Sequence, residues 1–251
     1  MMRVGFIGTG EITAAMVRGL AGRGHQIMVS ERNAQVAAQL AAEVDEVSIA
    51  ANVDVVAGSD VVFVCLMADV ARQILPDLPF RAEQAVISVM VDVSHDALQK
   101  LCAPATDIAM TIPLSAISTG GSMLPVYPAS AALTALFGDS DHVFEVASEA
   151  ALNAHFAGSA LSAPLIALMQ TGAHWLGNQT GDQKAAEDYV AGVFAGFLRQ
   201  MATSGADFDV LLKGLATEDG LNASLKAHVQ NAGAHDALLS GLEALKPRLG
   251  L

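Results

Sequence analysis

The chain has 251 residues, of which 53 % are hydrophobic and only 16 % are charged. Its formal net charge of −13 at pH 7 argues against nucleic acid and anionic membrane surfaces as partners. The two cysteines, Cys65 and Cys102, show neither metal-ligand spacing nor a disulfide framework. We therefore expect buried thiols in a reducing cytoplasm, and no metal site.

The low charged fraction predicts helices that are buried on several sides, and hence an oligomer with a large apolar interface. No apolar run is predicted to span a membrane, and the chain is expected to open on a strand instead of a signal peptide.

The N-terminal region follows a strand–turn–helix–strand pattern. Residues 4–7 are an apolar run that predicts a buried parallel strand, and a glycine turn follows at residues 8–10. A helix from about Glu11 to Gly22 is predicted by apolar residues at helical spacing, namely Ile12, Ala15, Met16 and Leu20. A second apolar strand is predicted at residues 27–29. This order is typical of the opening unit of a dinucleotide-binding fold.

The turn suits a pyrophosphate. Gly8 allows a sharp bend, Gly10 allows the backbone to approach the anion, and the helix N-terminus offers free N–H groups. We therefore take Gly8, Thr9, Gly10, Glu11 and Ile12 as candidate cofactor-binding residues. The third glycine of the usual motif is Thr13 here, and an ordinary strand-to-helix turn is the alternative interpretation.

The residues after the second strand bear on the choice of cofactor. Ser30 and Arg32 suit the 2′-phosphate of NADP, whereas Glu31 could accept the ribose hydroxyls of NAD. We expect NADP(H), with NAD(H) as the alternative, because an arginine directly after the strand has few structural reasons to be there.

The first half continues to alternate strands and helices. Further strands are predicted at residues 44–49, 60–66, 85–89, 108–112, 122–126 and 142–146, and helices at residues 36–41, 70–75, 94–101 and 129–137, with a short helical turn opening at Asn52. The fold class is therefore α/β, with a doubly wound parallel sheet of Rossmann type in a domain at residues 1–152. Segments 8–13, 65–69, 88–92 and 112–121 should face one crevice, which adds Leu66 and Met67 to the cofactor-binding candidates.

The second half, residues 153–251, is predicted to be an all-helical dimerisation and substrate domain. Apolar stripes at residues 161–176 and 186–201 are separated by a Gly- and Asn-containing break at residues 177–181, and shorter helices follow at residues 221–231 and 236–249. Trp175 and Tyr189 fall in these stripes and are expected in the core or an interface between two copies.

Several motifs, in the same order along the chain, resemble those of pyrroline-5-carboxylate reductases. They are residues 5–16, Asn52 ahead of a strand, residues 86–88 before Val93-Ser94, Pro113 with Gly120, Gly158-Ser159, and residues 217–222. The resemblance implies an NAD(P)H-dependent reductase that delivers hydride to a cyclic C=N bond, as in proline biosynthesis. It also implies a homodimer with interleaved helices, with further assembly left open, and it adds Asn52 to the cofactor-binding candidates.

The sequence departs from this family in the substrate loops. Leu114 replaces an asparagine, and Leu221 and Asn222 replace two hydroxyl residues of a Ser-Pro-Gly-Gly-Thr-Thr loop. The candidates for orienting the substrate are Asn222, Thr217, Ser159 and Ser115, for each of which helix capping is the alternative role. His155 and His174 are candidate general acids, with capping or interface roles as the alternative.

Three other functions compete with this one. A β-hydroxyacid dehydrogenase would need a lysine that residues 155–176 lack. A deazaflavin-linked NADP reductase is opposed by the matching C-terminal helices. A catalytically altered NADP-binding sensor or scaffold would keep the first half and lose turnover.

Overall fold

The computed structural model describes all 251 residues. One sheet of eight strands has the order β3-β2-β1-β4-β5-β6-β7-β8. The strands are β1 (Arg3–Ile7), β2 (Gln26–Ser30), β3 (Val47–Ala50), β4 (Val61–Val64), β5 (Ala85–Ser88), β6 (Asp107–Thr111), β7 (Met123–Tyr127) and β8 (His142–Glu145). All eight predicted strands are present, and the strand order reverses between β1 and β4, which confirms the doubly wound α/β architecture.

The sequence predicted a parallel sheet, and in one place this is wrong. β7 pairs antiparallel with β6, and β8 then runs parallel to β7. A parallel partner for β6 would require a crossover of a dozen or more residues, usually a helix. Residues 112–122 contain only a 3-10 turn at Ser115–Ser118, so the chain reverses direction there.

Twelve α-helices complete the structure. They are α1 (Glu11–Leu20), α2 (Ala34–Glu43), α3 (Asn52–Gly58), α4 (Ala68–Ile74), α5 (His95–Leu101), α6 (Ala131–Phe137), α7 (Glu149–Ser159), α8 (Ser162–Thr180), α9 (Gln183–Ser204), α10 (Phe208–Leu215), α11 (Leu221–Asn231) and α12 (Ala234–Leu249). α7 and α10 were not predicted. Asp207 caps α10 by accepting a 2.9 Å hydrogen bond from Val210 N, and Asp209 lies in the first turn of this helix.

Both faces of the sheet are buried, as expected for a parallel sheet covered by helices. On one face Phe6 of β1 stacks on Phe63 of β4 with ring centroids 4.9 Å apart, and Phe137 of α6 meets Phe63 edge-on at 6.2 Å. On the other face Ile7 packs with side chains of the α3, α4, α5 and α7 helices. Packing in these two apolar layers holds the strands in register. The loops that follow the carboxyl ends of the strands are therefore held in place by the sheet.

The chain divides into two compact units. Unit 1 contains Met1–Phe156 together with Pro247–Leu251, and unit 2 contains Ala157–Lys246. The boundary predicted after residue 152 falls inside α7. The second boundary coincides with Pro247 inside α12, where the missing N–H interrupts the helical hydrogen bonds.

The run Glu149–Thr180 is long and apolar enough to cross a membrane by length and composition alone, since an 18-residue window within it has a mean hydropathy of 1.3. This corrects the expectation that no such run exists. The run comprises two helices, α7 and α8, separated at residues 160–161. The Leu152 side chain in α7 is fully buried in the core of unit 1.

Candidate functional site

The turn after β1 requires glycine at its first position. Gly8 has φ +94°, a left-handed conformation that other L residues rarely adopt. A Cβ atom there would lie 2.1 Å from the main-chain oxygen of Cys65. The turn therefore packs directly against the backbone that leaves β4, and no side chain fits between them.

Three buried hydroxyl groups hold this turn. Ser30 Oγ accepts a 2.9 Å hydrogen bond from Gly8 N, and Thr9 Oγ1 donates to Ser30 O at 2.5 Å. Thr13 Oγ1 donates to Gly8 O at 2.6 Å. The threonine at the third glycine position thus ties α1 to the turn. Ser30, predicted to face the cofactor phosphate, is only 1 % exposed, and its hydroxyl is used inside the fold.

The second glycine faces open space. Gly10 is the N-cap of α1 with φ −116°, an extended conformation that any residue can adopt. No atom lies within 4 Å of a Cβ built on Gly10, and no side chain caps the helix. The first N–H groups of α1 have no partner within the helix. The packing of the fold therefore does not require glycine here; glycine is a common helix N-cap, and the open space leaves room for an anion against these amides.

A groove of about 400 Å³ runs beside the turn in unit 1. It is lined by Gly8, Thr9, Gly10, Arg32, Asn33, Ala34, Cys65, Leu66, Met67 and Val70. Six of these were predicted as cofactor-binding residues, namely Gly8, Thr9, Gly10, Arg32, Leu66 and Met67. The predicted residues Glu11, Ile12, Ser30 and Asn52 do not line it. Asn52 follows β3, at the same edge of the sheet but outside the groove.

Three lining residues lie outside the predicted segments and candidates: Asn33, Ala34 and Val70. Cys65 begins the segment 65–69 that was predicted to face the crevice, although it was not among the cofactor-binding candidates. Asn33 and Ala34 follow Arg32 directly, so the rule that ligands bind beyond the strand ends would have found them. Val70 lies one helical turn after Met67, a spacing that places both on one face of α4.

The charges near the groove are sparse. Arg32 is exposed and makes no hydrogen bond or ion pair with another residue of the chain.

Burial raises the pKa of the Cys65 thiol to about 12, and that of Cys102 to about 12. Both thiols are therefore protonated near neutral pH, and neither acts as a nucleophile. No three His, Cys, Asp or Glu side chains are grouped to hold a metal ion.

The predicted substrate-orienting residues lie in different parts of the chain. Ser115 is exposed in unit 1, in the 3-10 turn after β6. Ser159 ends α7 and belongs to unit 2. Thr217 lies in the loop between α10 and α11, and Asn222 lies in the first turn of α11, where its Nδ2 donates to Leu215 O at 3.3 Å.

Two features of the α10–α11 loop bear on its chemistry. Asp219 has φ +60°, and Gly220, the N-cap of α11, has no side chain to accept a hydrogen bond from the first amides of the helix. The N–H groups at the start of α11 are therefore open to an anion, but Glu218 and Asp219 place negative charge beside them.

The two candidate histidines differ in their surroundings. His155 Nδ1 lies 2.8 Å from Ala151 O, and its ring meets Phe144 edge-on at 5.7 Å. These contacts agree with a packing role within α7. His174 lies exposed on α8 without a hydrogen bond or ring contact.

Comparison with known proteins adds two findings. A family described as NADP oxidoreductase, coenzyme F420-dependent, matches residues 3–92, which contain the glycine turn and the groove. No curated protein sequence matches the chain.

Solved structures match along the whole length. Pyrroline-5-carboxylate reductase from Streptococcus pyogenes superposes with a TM-score of 0.82 at 19 % identity, over 100 % of this chain and 99 % of its own. Plasmodium falciparum pyrroline carboxylate reductase with NADP bound has a TM-score of 0.83 at 13 % identity, over 99 % and 97 %. A reductive aminase from Aspergillus terreus in complex with NADPH has a TM-score of 0.60 at 16 % identity, over 100 % and 93 %. The chain thus has the fold of the pyrroline-5-carboxylate reductases from end to end, with an NADP-oxidoreductase match in its N-terminal part.

Proposed function

We propose that this protein is an NADPH-dependent reductase of a cyclic imine. The observation that carries the proposal is the groove of unit 1, where the uncapped start of α1 at Gly10 and the unpaired Arg32 lie along one surface. The P. falciparum reductase and the A. terreus aminase, which share the fold, hold NADP and NADPH in their structures. The chain's own residues fit the same cofactor.

Each part of the cofactor has a matching group. The amides at the start of α1 suit the pyrophosphate, because they are free donors at the positive end of the helix dipole. Arg32 suits the 2′-phosphate of NADPH, since a guanidinium forms charge-assisted hydrogen bonds with phosphate. The adjacent Glu31 is exposed and keeps NADH as the alternative. Leu66 and Met67 then border the nicotinamide end.

The chemical demands on the protein are modest. When bound, the nicotinamide supplies the hydride. The chain has to orient the C=N bond and exclude water, and an imine that arrives protonated needs no strong acid from the protein. We assign orientation of the substrate to Ser115, Ser159, Thr217 and Asn222. The finer version of this proposal is the conversion of 1-pyrroline-5-carboxylate to proline. The negative charge of Glu218 and Asp219 beside α11 opposes a substrate carboxylate and therefore favours the broader class of cyclic imines over this one substrate.

We also propose that the protein is a cytoplasmic homodimer with interleaved helices. Large apolar side chains are exposed on α8 and α9 of unit 2, including Ile166, Leu168, Trp175, Tyr189, Phe194 and Leu198. An apolar groove of about 600 Å³ lies between α8 and α12. Apolar surface of this extent is covered by a partner in soluble proteins, and a second copy supplies matching apolar faces.

Two alternatives remain distinct from imine reduction. The match of residues 3–92 to an F420-dependent family favours hydride exchange between NADP and a deazaflavin. A protein that binds NADPH without turnover would be a sensor or scaffold, an interpretation supported by the altered substrate loops.

One experiment separates the three functions. The protein is incubated with NADPH and a panel of cyclic imines, including 1-pyrroline and 1-pyrroline-5-carboxylate, and in parallel with NADP⁺ and a reduced deazaflavin. We expect NADPH consumption with at least one imine. Turnover with the deazaflavin alone would establish the second function, and NADPH binding without any turnover would establish the third.

A further inference from the structure

Asp92, in the loop that follows β5, has an uncommon backbone conformation. Its φ is +69°, in the left-handed region that Asp and Asn enter more readily than other non-glycine residues. We call residues 89–93 the β5 loop. The conformation of Asp92 is held by partners from distant parts of unit 1.

Two arginines hold Asp92 from two sides. Arg248 Nη2 donates to Asp92 Oδ2 at 2.9 Å, and Arg248 Nε lies 3.3 Å from the same oxygen. Arg72 Nη2 in α4 donates to the main-chain oxygen of Asp92 at 2.9 Å. One cation therefore binds the side chain and another binds the backbone. Both contacts lie within unit 1.

Arg248 belongs to the short segment Pro247–Leu251, which packs with unit 1. Asn153 Nδ2 in α7 donates to Leu249 O at 3.0 Å, and the Leu249 side chain is only 8 % exposed. Asn153 and the burial of Leu249 hold this segment against unit 1, so the backbone that carries Arg248 is held in place beside the β5 loop.

A cavity of about 480 Å³ lies beneath these residues, lined in part by Arg72, Asp92, Glu149 and Arg248. Its charged groups already have partners inside the protein, since Glu149 accepts from His95 N at 3.3 Å and the arginines bind Asp92. These charged side chains therefore connect elements of unit 1 to one another, and we assign no ligand to this cavity.

The β5 loop lies at the edge of the sheet that carries the cofactor groove. Ile7 at the end of β1 is in register with Val64 of β4, and Val64 with Ser88 of β5. Strands about 4.8 Å apart place the end of β5 about 10 Å from the Gly8 turn. Arg32 follows β2 on the opposite side of β1. A dinucleotide with its 2′-phosphate at Arg32 would extend its nicotinamide toward β4 and β5.

We propose that Asp92, Arg72 and Arg248 are positioning residues that clamp the β5 loop beside the nicotinamide. This inference rests on the proposed NADPH-dependent function. The clamp connects the C-terminal segment to the reaction site, so loosening it changes the hydride-transfer step more than it changes binding of the adenosine half of the cofactor.

The test compares Arg248→Gln, which removes the charge, with Arg248→Lys, which keeps it. Lys246→Gln is the matched control, because Lys246 pairs with Glu243 on the same helix and not with the loop. Hydrogen exchange of the β5 loop is measured with and without NADP⁺, together with kcat and the KM for NADPH. The Arg248 side chain is 66 % exposed, so Arg248→Gln is expected to fold.

In the cofactor-free protein, Arg248→Gln should raise exchange of the β5 loop about three- to fivefold, the range expected for one exposed ion pair. Its kcat should fall by a similar factor while the KM for NADPH stays within about twofold of wild type. Arg248→Lys should recover part of both losses, and Lys246→Gln should match wild type.

Unchanged exchange in Arg248→Gln would show that the clamp does not exist. Faster exchange with unchanged kcat would show that the loop does not position the reaction. If wild-type protein neither binds NADP(H) nor reduces an imine, the proposed function fails separately. The exchange of the cofactor-free protein then still decides whether the clamp exists, and its role beside the nicotinamide is withdrawn.

Discussion

Gly8 and Gly10 lie in the same turn but are required for different reasons. Gly8 is needed by the fold, because its φ is +94° and a Cβ would lie 2.1 Å from Cys65 O. Gly10 has an ordinary extended φ and open space around it. The packing of the fold does not require the second glycine, and the open space beside it leaves room for the proposed ligand, so substitutions at the two positions should separate stability from binding.

Substitution of each glycine by alanine should therefore give opposite results. Gly8→Ala should lower the free energy of unfolding by about 3 kcal/mol or more, from backbone strain and the clash with Cys65 O. Gly10→Ala should lower it by only about 1 kcal/mol or less, the cost of alanine at a helix N-cap. Urea denaturation measures both. A stable Gly8→Ala variant would show that the turn differs from the structure described.

Gly10→Val tests whether the space beside Gly10 binds the cofactor pyrophosphate. The branched side chain would fill the space proposed for the pyrophosphate, so NADPH binding should be lost in isothermal titration while the thermal midpoint stays near that of wild type. Retained affinity in a folded Gly10→Val protein would place the cofactor elsewhere.

Arg32 should determine the preference for NADPH over NADH. Arg32→Ala removes a charge-assisted contact to the 2′-phosphate, a loss of about 1.5 kcal/mol that weakens NADPH binding about tenfold. NADH lacks this phosphate, so its affinity should change by less than about twofold. Arg32→Lys keeps the charge and should fall between. Equal losses for both nucleotides would remove Arg32 from the phosphate site.

Between elements, the hydroxyl of Ser30 joins the end of β2 to the turn after β1. Ser30→Ala would leave the buried Gly8 N–H without its acceptor, which should destabilise the protein by about 1–3 kcal/mol. Ser118→Ala is the matched control, because Ser118 Oγ makes only a local, exposed hydrogen bond to Ser115 O. Equal, small losses for both variants in urea denaturation would contradict a structural role for Ser30.

The sequence was sufficient where the signal is local. Apolar runs predicted every strand, and the helix predicted from residue 94 is capped there by Ser94 Oγ, which accepts from Ala97 N at 3.2 Å. It was insufficient where partners are distant. The inward direction of the Ser30 hydroxyl and the ion pair between Asp92 and Arg248, 156 positions apart, depend on packing that no local pattern encodes. β7 runs antiparallel to β6 because the segment before it forms no crossover helix, and a local pattern of apolar residues does not reveal strand direction.

At the scale of the whole molecule, the exposed apolar surface of unit 2 leads us to predict a dimer. Trp175 and Tyr189 are each 65 % exposed in the single chain, although large aromatic side chains usually find apolar surroundings. We expect light scattering after size-exclusion chromatography to give about twice the chain mass of 25.8 kDa.

Charges placed in this surface should separate the copies. The double variant Trp175→Glu and Tyr189→Glu should shift the protein toward monomer, because two carboxylates would be buried in an apolar interface. Thr106→Glu, which adds charge at an exposed position of unit 1, should leave the mass unchanged. A wild-type protein that runs as a monomer at micromolar concentration would contradict the proposed assembly.

The proposed function depends on the uncapped start of α1 receiving the pyrophosphate of a nicotinamide nucleotide. A crystal structure of the full chain with NADPH would decide this point. We expect pyrophosphate oxygens within hydrogen-bonding distance of the main-chain amides that follow Gly10, with the 2′-phosphate at Arg32. A bound nucleotide elsewhere, with the Gly10 turn empty, would contradict it.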